Sequence, residues 1–375
     1  MSKMAFVSGP RQVGKTTLGK SLLKSPQNYF SWDDSRFRMA WSRSSIEALS
    51  ERGPGPVVLD EIHKDRRWKG RLKGLFDVQG AGQGLLVTGS ARLDLYRKGG
   101  DSMMGRFLPY RLHPLSVAET ARPISPDEIL GTVKPVQAFE DLLALGGFPE
   151  PFFSGRQNHA RRWSRLRLER LVHEDVRDLK SIGDISGLQT LAALLPTKVG
   201  GLLSMNSLRE DVGVAYATIR SWVQVFEALY HCFLVRPYAK KVARALTAMP
   251  KLYLFDTLAI PDESMGARLE NLVALHLLKT CHYFTDLAHG NFELRYLRDK
   301  EQREVDFLML RDGKPWFLVE CKSGDTEPAP AIQYFQSALS GVDAYQLVTV
   351  PGYDRHYPEK RLRVLEYGRF LAGLV

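Results

Sequence analysis

Short apolar runs alternate with helical patterns through the first third of the chain. Met4-Ala5-Phe6-Val7 reads as a buried strand, and Leu18, Leu22 and Leu23 fall at helical spacing after it. Pro56-Val57-Val58-Leu59-Asp60-Glu61 and Gly84-Leu85-Leu86-Val87-Thr88-Gly89-Ser90 repeat the buried-strand pattern. Over residues 1–135 this alternation predicts an α/β fold, a parallel sheet with helices on both faces. Residues 136–186 read as helical, a lid or connector. Residues 187–245 read helix, helix, turn, longer helix, strand, which is a helix-turn-helix with a wing. In the turn stand Gly213 and Val214, and Ile219, Trp222, Val223 and Phe226 face a core from the longer helix. Residues 246–375 begin with a strand or turn lead-in from Lys251. A helix from Gly266 and three strands, at 292–297, 304–310 and 315–322, follow. Alternating helix and strand patterns run from Pro328 to the end.

Chemistry enters where the first strand stops. Gly9-Pro10-Arg11-Gln12-Val13-Gly14-Lys15-Thr16-Thr17 fits the phosphate-loop pattern G-x-x-x-x-G-K-[ST], with a strand before it and a helix after it. The glycines let backbone N–H groups turn towards a β-phosphate, and the helix start adds partial positive charge. Lys15 would reach the β- and γ-phosphates, and the Thr16 hydroxyl would bind Mg²⁺. The strand at 56–61 delivers two carboxylates at its C-terminal end, where ligands bind in such sheets. Asp60 would hold Mg²⁺, directly or through water, and Glu61 would polarise the attacking water. The strand at 84–90 ends in small polar residues. Thr88 or Ser90 can reach the attacking water or the γ-phosphate there, or simply close the strand in a turn.

The C-terminal third offers a second set: Glu270 near the start of a helix, Asp306 on one strand, and Glu320 and Lys322 two apart on another. This is the layout of a PD-(D/E)xK nuclease core, with Val305 in place of the loose Pro. Asp306 and Glu320 would hold a hard cation with open water positions, and Lys322 would orient the nucleophile. A retained fold that binds DNA or a partner without cutting fits the same residues. So does a metal-free salt bridge between Lys322 and either acid.

Composition narrows the partners. The chain has 375 residues, 44% hydrophobic and 25% charged, enough for two or three cores. Net charge of +10 favours a polyanionic partner such as nucleic acid. DNA is expected more than RNA as that partner. Arg161, Arg162 and Arg165 stud one helical stretch, and Tyr216, Thr218 and Arg220 lead the second helix of the helix-turn-helix. These six are the candidate nucleic-acid residues. A solvated face and a packing-only winged helix are the plainer alternatives. Cys232, Cys281 and Cys321 lie far apart, with no CxxC pair, which fits a reducing cytoplasm. No signal peptide or long apolar run is visible, so neither secretion nor a membrane span is expected.

Taken together, 9–17, Leu-Asp-Glu-Ile-His (59–63), Thr-Gly-Ser (88–90), Gly-Arg-Phe (105–107), His-Pro-Leu-Ser (113–116) and Gly-Gly-Phe-Pro-Glu (146–150) resemble the AAA+-related ATPases. Those ATPases carry a C-terminal domain of unknown function 4143. The resemblance spans nearly the whole chain. It implies an AAA-like ATPase core using ATP and Mg²⁺, a nuclease-like C-terminal fold, and Arg106 as an arginine finger completing a neighbouring subunit's site in a homo-oligomer. Few residues precede the first strand, so the adenine contacts and the choice between ATP and GTP stay open.

Overall fold

Two faces of one small sheet explain the N-terminal pattern. In this computed structural model, residues 3–79, 84–89, 103, 105–120, 138–175, 184–239 and 248–375 are described, without the side chains of 79, 120, 174 and 175. The chain divides into two compact units, Met1–His113 with Ala228–Tyr230, and Pro114–Glu227 with His231–Val375. In the first, β1 (Met4–Ser8), β2 (Tyr29–Ser31), β3 (Val57–Asp60), β4 (Leu85–Thr88) and β5 (Phe107–Arg111) lie in the order β2-β3-β4-β1-β5. Every pairing among them is parallel. Alternate residues of a strand point to opposite faces. Met4, Phe6, Val57, Leu59 and Val87 join Phe37 and Trp41 of α2 (Ser35–Arg43) and Leu72 and Leu75 of α3 (Trp68–Gln79) in one core. Val7, Val58 and Leu86 form the other face, under α1 (Lys15–Ser21). Each such side chain, buried, contributes about 1.5–3 kcal/mol. Gly19 lets α1 approach: a Cβ there would meet Val58 Cγ1 at 3.0 Å.

The second unit is helices packed on an eight-stranded sheet. Its helical part comprises α4 (Ala138–Leu145), α5 (Pro149–Ser154), α6 (Gln157–Arg170), α7 (Ile185–Leu194), α8 (Met205–Val212) and α9 (Tyr216–Ala228). Then come β6 (Cys232–Pro237), β7 (Lys251–Leu254), α10 (Met265–Asp286), β8 (Phe292–Arg298), β9 (Glu304–Arg311) and β10 (Lys314–Cys321). The chain ends with α11 (Pro330–Ala338), β11 (Asp343–Val348), β12 (Asp354–Tyr357), β13 (Leu362–Glu366) and α12 (Tyr367–Ala372). The strand order is β12-β13-β11-β10-β9-β8-β6-β7. Leu308, Leu318, Ala344 and Val364 from its centre pack against Ile332 and Phe335 of α11.

The helix-turn-helix forms as its residues dictate. Ser204 caps α8, its hydroxyl accepting from the Ser207 N–H at 3.2 Å. Gly213 ends it in the left-handed region at φ +77°, its N–H donating to the Arg209 carbonyl at 2.9 Å. Ile219, Trp222, Val223 and Phe226 are buried as expected. The wing differs from the expectation. β6 does pair antiparallel with β7, as in a wing hairpin, but its other edge pairs with β8. The hairpin is therefore the end of the large sheet. The cause is its composition: Cys232, Phe233, Val235, Leu252 and Leu254 are all buried, so both faces need cover.

Two stretches of the family resemblance are structural. Leu115 donates to the Gly147 carbonyl at 2.7 Å, and a Cβ at Gly147 would fall 2.8 Å from the Leu115 oxygen. Phe148 lies against Trp163 at 4.9 Å and under the Arg167 guanidinium at 4.4 Å.

Candidate functional site

The phosphate-loop residues converge at the C-terminal ends of β1 and β3. Gly9 passes so close to Leu112 that a Cβ would lie 2.3 Å from its carbonyl oxygen, and Gly14 turns into α1 at φ +101°. Gln12 also sits in the left-handed region, at φ +63°. Between them run Pro10, Arg11 and Val13, the last buried. The Lys15 ammonium is buried in the loop it serves, donating to the Gly9 carbonyl at 2.9 Å and the Pro10 carbonyl at 2.6 Å. Thr16 opens α1 and reaches across to β3: its hydroxyl donates to Asp60 Oδ2 at 2.8 Å. Thr17 is the next residue of the helix and is exposed.

Asp60 is the hub. Besides Thr16, its carboxylate accepts from the Thr88 hydroxyl and, at 2.6 Å, from Tyr29 on β2. Burial, then the Asp60 charge, raises the Tyr29 phenol well above its ordinary range, so it stays a donor. Thr88 is thus committed to Asp60, while Ser90 lies outside the described residues. Glu61 follows in the left-handed region at φ +56°, a cost of about 1–2 kcal/mol for a residue with a Cβ. Its N–H donates to the Thr88 carbonyl at 3.0 Å, which fixes that turn. Its carboxylate lies 3.5 Å from His63 and 3.9 Å from Lys64. Burial raises its pKa, and Lys15 and Lys64 pull it back. Replacing Tyr29 with Phe should cost about 1.5 kcal/mol of stability, the low end for a bond to a charged group, since two donors remain on Asp60. A lower denaturant midpoint at unchanged slope checks this.

In the second unit, Glu270, Asp306, Glu320 and Lys322 do come together. Asp306 and Glu320 face each other across β9 and β10, with the Asp306 N–H donating to Glu320 Oε2 at 3.3 Å. Lys322 reaches Glu320 Oε1 at 2.7 Å. Burial first, and Asp306 second, push both Glu270 and Glu320 up to about 7. Two further members carry no signal in the local sequence pattern. Glu304 is the first residue of β9. Lys251 is the first residue of β7, and its ammonium meets Glu304 at 2.7 Å, Asp306 at 2.9 Å and Glu270 at 3.2 Å. Tyr253 adds a hydrogen bond to Glu270 at 2.7 Å. A divalent cation does not fit this set, because an ammonium already stands among the carboxylates. Among the described residues no group of three His, Cys, Asp or Glu side chains is arranged to hold a metal ion.

Comparison with known proteins agrees with the N-terminal geometry. Residues 1–121 match the family model of an AAA domain. This chain carries an AAA domain. The AAA domain suggests an ATPase-type function and nucleotide binding. Residues 136–258 match a domain of unknown function 8612, and residues 265–370 match the domain of unknown function 4143. An uncharacterized protein of Mycobacterium tuberculosis is 25% identical over 376 residues, covering 95% of this chain and 78% of its own length. An uncharacterized protein of Methanocaldococcus jannaschii is 27% identical over 374 residues, covering 86% of this chain and 76% of its own.

Arg106 of the AAA domain stands at the other end of the sheet from the phosphate loop. β5 pairs with β1 from Met4↔Phe107 to Ser8↔Arg111, so Arg106 precedes the strand whose far end adjoins Gly9. The separation along the strand is roughly 17 Å. Its guanidinium forms a bidentate pair with Asp77 of α3, at 2.8 and 3.2 Å. Of the candidate nucleic-acid residues, Tyr216 and Arg220 are exposed one helical turn apart, and Thr218 is half-buried. Arg162 and Arg165 are exposed, and Arg161 pairs with Asp262 at 2.9 Å. No helix among the described residues is long and apolar enough to cross a membrane.

Proposed function

We propose that this chain hydrolyses ATP at its phosphate loop and spends the cycle on nucleic acid, DNA more than RNA. The observation that carries the reading is the meeting of Lys15, Thr16, Asp60 and Glu61 at the ends of β1 and β3. Lys15 bears fixed charge for the β- and γ-phosphates. Thr16 and Asp60 would hold Mg²⁺, which neutralises charge on the phosphate oxygens when bound. A single protein carboxylate suffices there, because Mg²⁺ beside a nucleotide takes most of its ligands from phosphate and water. Glu61 takes the proton of the attacking water. The test is ATPase activity with and without single-stranded, duplex and branched DNA, beside Lys15→Ala as the inactive control.

The nucleic-acid part rests on the +10 net charge and on the exposed Arg162, Arg165, Tyr216 and Arg220. Contacts to roughly four to six phosphates would give log K against log salt a slope of about −4 to −5 on duplex DNA. Arg220→Ala should flatten that slope by about 1. A flat response in the unmodified protein would return these arginines to a solvated face.

A second reading is a nucleotide-gated switch that recruits a protein partner, with a C-terminal domain that does not cut. Lys251 among the acids favours this for the C-terminal domain. An ATPase rate indifferent to every nucleic acid would favour it for the whole chain.

A further inference from the structure

The C-terminal cluster already contains what a metal would supply. Lys251 is buried, its side chain only 2% exposed. An ammonium has three hydrogens to donate. Three carboxylate oxygens, of Glu270, Glu304 and Asp306, lie within 3.2 Å of it and can take all three. The second oxygen of Asp306 accepts from the Cys321 N–H at 2.9 Å. The second oxygen of Glu304 meets Arg298 at 2.6 Å. Glu320 is held by Lys322 and the Asp306 N–H. Four carboxylates therefore face three cationic heads, Lys251, Lys322 and Arg298. A divalent ion would bring two more positive charges to a set lacking one at most, and would have to expel a buried ammonium. The wall is also close: a Cβ at Gly200 would lie 3.1 Å from the Glu270 carboxylate.

The lysine arrives from a different part of the chain. Lys251 lies in the region 136–258 and sits on the hairpin that follows the helix-turn-helix. Glu270, Glu304 and Asp306 lie in the region 265–370. We infer that Lys251 is the resident cation of this cluster, clasping the hairpin to α10 and β9 in place of a catalytic metal. The domain then serves as a rigid binding module whose helix-turn-helix is locked to the sheet. Buried charges explain why the clasp is strong. Removing one partner leaves the others uncompensated, which destabilises far more than the intact pair stabilises.

The test uses the full chain carrying Thr16→Ala, without nucleotide, so that the phosphate-loop site does not report metal and the outcome is independent of ATP hydrolysis. Mn²⁺ is titrated to about 1 mM, the weak end of oxygen-ligand sites, with electron paramagnetic resonance and thermal melting as readouts. The expected result is no Mn²⁺ binding that depends on Asp306 or Glu320. Glu270→Gln and Asp306→Asn should each lower Tm by several degrees in metal-free buffer, and Lys251→Met by roughly 10 °C. Lys251→Met should then gain a Mn²⁺ site and recover Tm on adding Mn²⁺. Mn²⁺ binding to the lysine-bearing protein that disappears in Asp306→Ala and Glu320→Ala would overturn the inference. So would Mn²⁺-dependent DNA cleavage lost in those variants, or a folded Lys251→Met protein that takes up no Mn²⁺. If Lys251→Met does not fold, the two acid variants decide: an unchanged Tm in both would overturn the clasp.

Discussion

Glu61→Gln should lower ATP turnover by about 10²–10⁴-fold, the usual weight of a positioned general base, while ATP still binds. The isostere keeps the size and shape of the side chain beside His63 and Lys64 and loses the charge, and with it the capacity to take a proton. Lys15→Ala should fail earlier, at productive binding, because it removes the one ammonium buried inside the loop. Filter-bound radiolabelled ATP separates the two: retained for Glu61→Gln, absent for Lys15→Ala. Near-normal turnover by Glu61→Gln would show that another group takes the proton.

Arg106→Ala should cost about 10³–10⁵ in turnover, as loss of an arginine finger does, without touching its own subunit's site. The guanidinium is roughly 17 Å along the strand from the loop of the same chain, so its effect must come through a neighbour. Its pair with Asp77 is solvent-exposed, and exposed pairs hold little energy, so the arginine can leave it. Activity should rise faster than linearly with protein concentration until the oligomer saturates. Mixing Lys15→Ala with Arg106→Ala subunits should recover some activity at mixed interfaces. A fully active, strictly monomeric enzyme would sink this prediction.

The AAA domain was legible because its signals are local. A strand, two glycines and a Lys-Thr pair stand within fifteen residues, and the Asp60–Glu61 pair ends an apolar run. Tyr29 was not legible, since its hydroxyl reaches Asp60 only after β2 and β3 pair. Lys251 shows the same limit at longer range. It heads an apolar tetrad and reads as a strand end, and its partners lie up to 55 residues further on, across β6 and β8. The wing was misplaced for a related reason: an apolar hairpin looks the same whether it stands alone or closes a larger sheet. Arg167, by contrast, could have been found. It falls four residues after Trp163, on the apolar stripe rather than the exposed row, and it is buried over Phe148.

The large sheet also governs how copies of this chain can meet. A sheet edge carries unpaired N–H and C=O groups that template further strands, and natural proteins blunt such edges. Here β7 is buried along its whole length, with Val199 and Leu202 bridging to it. The opposite edge, β12, is four residues long and carries Asp354, Arg355 and His356 outwards. Asp354 is tied down by a bidentate pair with Arg363, at 2.7 Å for each bond. An incoming strand would have to break that pair and bury charge for little new pairing. Assembly through strand addition or swapping is thereby disfavoured. If turnover draws on a neighbour's arginine, as the Arg106 prediction has it, copies of this chain could crowd together at high concentration without fusing their sheets into aggregate.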